Sequence, residues 1–356
     1  MIKKECFTTE WIGQVSSALH YNDKNLIEKV IRALSLLEML VGAGCPLVFK
    51  GGTALMLILG KSAHRLSIDI DVICPPGTNI EDYLKAFADF GFTDLELVER
   101  KQRNDANIPK SHSKFFYQIA YRNDTDAQSY ILLDVLYEDV HYLRTRQIAI
   151  DSPFIRLEGE PLMVTVPSAE DILGDKLTAF APTTGIPYYK NGKSCSMEIA
   201  KQLYDVGRLF ENVSDLQITS QAFRKIAAVE LSYRSLGTDA GLVFNDIRQT
   251  ALCISTRGKA GEGDFNLMQD GIIRVKSFMY KQRYLIDNAI IDAARAAYLA
   301  TLIEKGVTQV EPYPENPNDI KDLVIRTSLT NKLNKLKSNL PEAYYYWAKT
   351  SELLES

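Results

Sequence analysis

Lys50, Gly51, Gly52 and Thr53, followed downstream by Asp69 and Asp71, join a glycine turn of phosphate-binding size to a pair of carboxylates. Transfer of a phosphoryl or nucleotidyl group uses a divalent ion to neutralise the triphosphate, and carboxylates are its natural hard ligands. Side chains alternate along a strand, so Asp69 and Asp71 project to one side and Ile68, Ile70 and Val72 to the other. The apolar set can bury its face and hold the acids on a rigid element. Upstream, Val48 and Phe49 read as the end of a short strand, and residues 53–59 as the start of a helix. Amides of such a turn and of the first helical turn can cradle phosphate. The pattern is not a P-loop, because no Gly-Lys-Ser/Thr closes it and Lys50 precedes the glycines.

A third carboxylate is expected from a neighbouring strand, and Asp134 supplies it within the apolar run at residues 130–137. The run at 115–121 precedes it across a polar segment, so the two read as a hairpin. The plainer reading of Asp134 is a charge on the solvated side of a strand or at its frayed end. Ser67 shares the face of Asp69 and Asp71 by period two, whereas Arg65 either contacts substrate from the loop or braces an acid. Lys176 lies in a segment whose Leu173, Leu177 and Phe180 face inward at helical spacing. Its ammonium is either solvated or meets phosphates. Lys201 and Asp205, four apart, read most simply as a surface pair.

These residues need elements to position them. Residues 25–40 form an amphipathic helix with Leu26, Ile27, Val30, Ile31, Leu34 and Leu37 as its stripe, suited to support a sheet. Pro75, Pro76 and Gly77 stop the acidic strand, residues 80–90 read as helix, 95–100 as strand and 104–113 as loop. Short extended pieces occupy 148–166. From Ala169 the pattern turns helical, at 196–210, 219–233, 278–304 and 319–329, with a mobile loop at 183–194 that can close over nucleotide or receive RNA. Residues 311–317 form a proline-rich connector. The expected fold class is therefore α+β, with a mixed α/β core over 1–168 and a mainly helical part over 169–356.

At 356 residues and 46% hydrophobic content, the chain can bury a substantial core. No apolar run reaches the roughly 20 residues that span a bilayer, and the first ten residues lack a secretion signal's apolar core, so a cytoplasmic location and no membrane partner are expected. Cysteines 6, 45, 74, 195 and 253 show no C-x-x-C spacing and suit a reducing compartment. His20, His64, His112 and His141 are too scattered to suggest a zinc cluster. Forty-one basic against 45 acidic residues, net −4, argue against general nucleic-acid coating. A local basic groove stays open, from Arg100, Lys101, Arg103, Lys110, Lys114, Lys190, Lys193, Lys332, Lys335 and Lys337.

Phe49–Leu55 and Arg65–Val72, with weaker blocks at residues 167–179 and 201–206, resemble the AbiEii/AbiGii toxin family of nucleotidyltransferases over about residues 25 to 210. The resemblance implies a minimal polymerase-β-like nucleotidyltransferase core, acting as the toxin of a type IV toxin–antitoxin or abortive-infection pair. It implies transfer from an NTP, in some relatives to the acceptor end of tRNA, with an antitoxin encoded nearby. By that resemblance Asp69 and Asp71 bind metal, Lys176 contacts triphosphate and Asp205 belongs to the active centre. The chain departs from the family at Gln202, where an acid often stands, so either activity is reduced or that role passes to Asp205 or Asp134. The combined expectation is one or two Mg²⁺ on Asp69, Asp71 and Asp134, the triphosphate on Lys50, Gly51, Gly52, Thr53, Arg65, Ser67 and Lys176, and an RNA acceptor. An AMP-transferring or kinase-like enzyme acting on protein, and a noncatalytic RNA-binding protein on the same core, are the alternatives.

Overall fold

The computed structural model describes residues 1–98, 110–121, 127–213, 215–325 and 330–355. The chain divides into two compact units, Met1–Ser168 with Ser277–Arg283, and Ala169–Lys276 with Tyr284–Ser356.

The first unit is mixed α/β. Helix α1 (Thr9–Leu19) starts at Thr8, whose hydroxyl accepts from the Trp11 amide, and α2 (Lys24–Gly42) starts at Asp23, whose carboxylate accepts from the Leu26 amide. Each cap satisfies an amide that the first turn leaves without a carbonyl. Strand β1 (Val48–Lys50) runs directly into α3 (Gly51–Leu59), followed by β2 (Ile70–Cys74), β3 (Asp94–Val98), β4 (Lys110–Gln118) and β5 (Gln128–Tyr137). These strands form one sheet in the order β1-β2-β5-β4-β3, with β2 and β5 parallel and the other neighbours antiparallel. Strands β6 (Thr145–Ala149) and β7 (Met163–Pro167) pair as a separate ribbon.

Period-two alternation gives this sheet one apolar face. Phe49, Ile70, Val72, Phe115, Ile131, Leu133 and Val135 are buried there against Leu36, Leu37 and Leu40 of α2. Ile27, Ile31 and Leu34 of α2 join a second cluster with Ile12, Met56, Leu66, Phe154 and Tyr280. Helix α2 is therefore buried on two sides, which explains a stripe wider than a surface helix needs.

In the second unit, α4 (Ala169–Ala179) is followed by a hairpin of β8 (Tyr189–Lys190) and β9 (Lys193–Ser194), then by α5 (Ser196–Phe210), α6 (Gln217–Tyr233), α7 (Ala240–Ser255), α8 (Phe265–Val275) and α9 (Ile286–Lys305). Short helices α10 (Thr330–Leu333) and α11 (Leu336–Asn339) precede α12 (Pro341–Glu355). Ala289, Ala293, Ala296, Ala297 and Ala300 are fully buried on α9, where small side chains let α5, α7 and α12 approach closely.

Tertiary bonds override local pattern in five places. Residues 80–90 form two 3₁₀ turns rather than a helix, because Arg32 and Ser35 of α2 bind the Gly91 and Phe90 carbonyls. Strand β4 begins at Lys110, inside the segment expected to be loop, because β5 supplies a ladder partner at every position from 110 to 118. Residues 104–109 and the basic group Arg100, Lys101 and Arg103 lie outside the described residues. The expected helix over 278–304 begins only at Ile286, since Phe278 and Tyr280 bond to the backbone at Leu66 and His64. In place of the helix expected over 319–329 stands a 3₁₀ turn at Pro317–Ile320, and the Lys321 and Leu323 carbonyls that follow are taken by the Lys337 ammonium; 326–329 lie outside the described residues. The stretch expected to be a mobile loop contains the β8–β9 hairpin, and its Thr183 and Thr184 amides both donate to Asp246.

Candidate functional site

Gly51 opens α3 with φ of +78°, in the left-handed region that favours glycine. A Cβ at position 51 would lie 2.1 Å from the Asp71 Oδ2 atom, and one at position 52 would lie 2.6 Å from the Ser67 hydroxyl and 3.0 Å from the Arg65 guanidinium. The glycines are thus the surface on which Arg65, Ser67 and Asp71 rest. The buried Thr53 hydroxyl donates to the Asp69 carbonyl at 2.7 Å, fastening the helix start to the strand entry. Two sequence blocks separated by a helix are one cluster in space.

The loop that carries Arg65 is held from behind. Arg65 is buried and donates to the Leu66 carbonyl at 2.9 Å. The Leu66 amide donates to Phe278, the Tyr280 amide to His64, and the Tyr280 hydroxyl to Ala63. The Lys281 ammonium donates to the Lys61 carbonyl at 2.6 Å. Residues 277–283, which follow α8 in sequence, therefore strap the approach to the acidic pair. Sequence periodicity gives no sign of this strap, because its bonds are long-range and each of them ends on a backbone carbonyl.

Register aligns the remaining candidates. Lys50 is opposite Asp71, Asp71 opposite Asp134, and Asp134 opposite His112, so the four form one row across β1, β2, β5 and β4 on the face away from the core. The Lys50 ammonium lies 5.6 Å from the centre of the Tyr142 ring. Asp69 precedes β2 instead of standing inside it, and is placed by Thr53. Asp134 Oδ1 is in hydrogen-bond contact with His112 Nδ1. His112 is the residue that sequence reasoning missed. Its only signal was position in a polar stretch that takes on strand geometry through pairing.

Among the described residues no group of three or more His, Cys, Asp or Glu side chains converges as a ready metal cluster. Magnesium does not require one, since it is commonly held by one or two carboxylates with waters and substrate phosphates completing its shell. Asp71, seated against Gly51, and Asp134, beside it on a parallel strand, offer that hard-oxygen donor chemistry on a rigid sheet.

In the second unit, Lys176 of α4 and Asp205 of α5 form an ion pair at 3.0 Å, with side chains 8% and 2% exposed. Asp205 is therefore not a member of a solvated surface pair. Separating such buried partners is costly, because each leaves an uncompensated charge. Lys176→Met or Asp205→Asn alone should destabilise the second unit by about 3–5 kcal/mol, and Lys176→Met combined with Asp205→Leu should recover much of that loss in thermal melts. The Gly51 contact makes a separate prediction. Gly77 also has positive φ, at +85°, but a Cβ there meets nothing within 4 Å. Gly77→Ala should therefore cost only the conformational part, about 1–2 kcal/mol, and Gly51→Ala distinctly more, as read from urea midpoints.

Two crystal structures from Helicobacter pylori align over most of both chains at 16% identity and a TM-score of 0.41. JHP933 is covered over 94% of its length and 81% of this chain, and a candidate nucleotidyltransferase over 97% of its length and 80% of this chain. No curated protein matches significantly. The model of the nucleotidyl transferase AbiEii toxin family, of type IV toxin–antitoxin systems, matches residues 33–343. The chain belongs to the AbiEii nucleotidyltransferase family.

Proposed function

We propose that this chain transfers a nucleotide from a nucleoside triphosphate to a hydroxyl of RNA, with tRNA the expected acceptor, as the toxin of a toxin–antitoxin pair built on a polymerase-β-like core. The observation that carries this reading is the closure of the two motif halves on each other: Gly51 against Asp71, Gly52 against Ser67 and Arg65, and Thr53 against the Asp69 carbonyl. The start of α3 offers amides to phosphate, with Lys50 and Arg65 as cations on either side of the sequence motif. Asp69, Asp71 and Asp134 would hold one or two Mg²⁺, which when bound neutralise triphosphate charge and offset charge on leaving pyrophosphate. The acceptor oxygen bonds to the α-phosphorus, the α–β bridging oxygen leaves with pyrophosphate, and the hydroxyl proton passes to Asp134 or solvent. For Lys176 and Asp205, family resemblance supports triphosphate contact and a place in the active centre.

The RNA acceptor is supported by the β8–β9 hairpin. Asn191 and Gly192 turn it with φ of +51° and +73°, the signature of a two-residue primed turn. Exposed Lys190 and Lys193 stand directly opposite each other, and Tyr189 is 57% exposed. Like charges facing across a ladder repel, and a phosphate backbone relieves that repulsion while an exposed ring offers a stacking surface. Lys190→Glu with Lys193→Glu should weaken RNA binding in a filter assay, with a shallower salt dependence, and leave NTP binding unchanged.

The central test is incubation with each α-labelled NTP, Mg²⁺ and total cellular RNA and protein. Label should appear in RNA. Asp69→Ala and Asp71→Ala should each abolish it while circular dichroism stays at wild type. Label on protein instead would favour the AMP-transferring class, and no label anywhere the noncatalytic one.

A further inference from the structure

We propose that His112 is a positioning residue for the acidic row: it holds the Asp134 carboxylate in place beside Asp71, so that the two can share a cation. The inference rests on the metal-dependent reading above and extends it to a residue on a third strand.

Three observations carry it. First, the β4–β5 register puts His112 directly opposite Asp134, on the same face and in the same row as Asp71 and Lys50. Second, the contact is made by His112 Nδ1 on Asp134 Oδ1, so one oxygen of the carboxylate is tied and its orientation fixed. Third, the histidine side chain is 12% exposed and the aspartate 34%. The ring is largely buried while the carboxylate is about one-third exposed. A carboxylate one-third exposed and without such a partner samples several rotamers, and ordering it on a cation then opposes binding. Outer partners of this kind orient carboxylate ligands, and their removal weakens metal binding by about 10–100-fold.

The neighbours on β4 make the choice of histidine specific. Lys110 and Lys114 occupy the same face one alternation away on each side, and the Lys114 ammonium is taken by Glu96 at 2.9 Å. Of the β4 residues, His112 is the one opposite Asp134 in the ladder.

The test uses the full chain and Mn²⁺ alone, with free ion counted by electron paramagnetic resonance and folding followed by thermal melting. His112→Leu keeps a strand-forming side chain and removes the donor. It should raise the Mn²⁺ dissociation constant about 10-fold with an unchanged melting transition. His112→Asn places an amide nitrogen near the Nδ1 position and should bring affinity back to within about 3-fold of wild type, a rescue that simple packing would not produce. Mn²⁺ binding by His112→Leu at or above wild-type strength would overturn the proposal, as would equal losses in the Leu and Asn variants. Asp71→Ala separates the two levels. If Asp71→Ala loses the ion while His112→Leu keeps it, only the role of His112 fails; if Asp71→Ala also binds as wild type, the metal reading fails with it.

Discussion

The Asp71 carboxylate fills the space that a side chain at position 51 would need. This steric exchange explains why a left-handed backbone residue starts a helix here: any other residue would add conformational strain and expel the acid. The same substitution of backbone for side chain recurs at Gly52, where Ser67 and Arg65 occupy the vacated volume. Once the glycines are fixed, the Thr53 bond to the Asp69 carbonyl sets how the chain re-enters the sheet. The motif is therefore a packing solution as well as a chemical one, and its spacing reflects the length of α3 and the strapped loop that lead back to the point of contact.

That loop shows how the first unit borrows from distant sequence. The strap at 277–283 supplies residues 61–66 with partners on their far side. Tyr280 contributes an edge-on contact with Phe154 and a hydroxyl bond to Ala63, so it joins the second apolar cluster to the loop before the acids. The entry to the acidic strand is held at both ends, by Thr53 in front and by the strap behind.

What was legible in the sequence was local. The glycine turn, the spacing of Asp69 and Asp71, the pairing of the runs at 115–121 and 130–137, and the boundaries of α5 all follow from period or turn chemistry within a few residues. The mixed α/β core and helical remainder follow from the same patterns. What was not legible depends on a partner elsewhere in the chain. His112 sits among serines and lysines with no apolar alternation on its own side, and only the buried residues Ser113, Phe115 and Tyr117 reveal the strand. Residues 278–285 carry helix-compatible composition, but bonds to the 63–66 backbone draw them away. Asp205 looks like half of an i, i+4 surface pair, and only the packing of α4 on α5 shows that its partner is Lys176.

The acidic row is specified less by its charges than by the apolar residues behind it. Two carboxylates side by side on neighbouring strands repel, so electrostatics between them cannot set the alignment of β2 with β5. The opposite face can. Ile70 and Val72 stand level with Leu133 and Val135, all essentially without exposure. A slip of one residue would turn Asp71 or Asp134 toward that core and bring an apolar residue out in its place. Burial of an uncompensated carboxylate costs several kcal/mol, and each lost apolar side chain about 1.5–3 kcal/mol more. The hydrophobic pattern thus forces Asp71 and Asp134 abreast, with the His112 Nδ1 contact on Asp134 at one end of the row and Lys50 opposite Asp71 at the other.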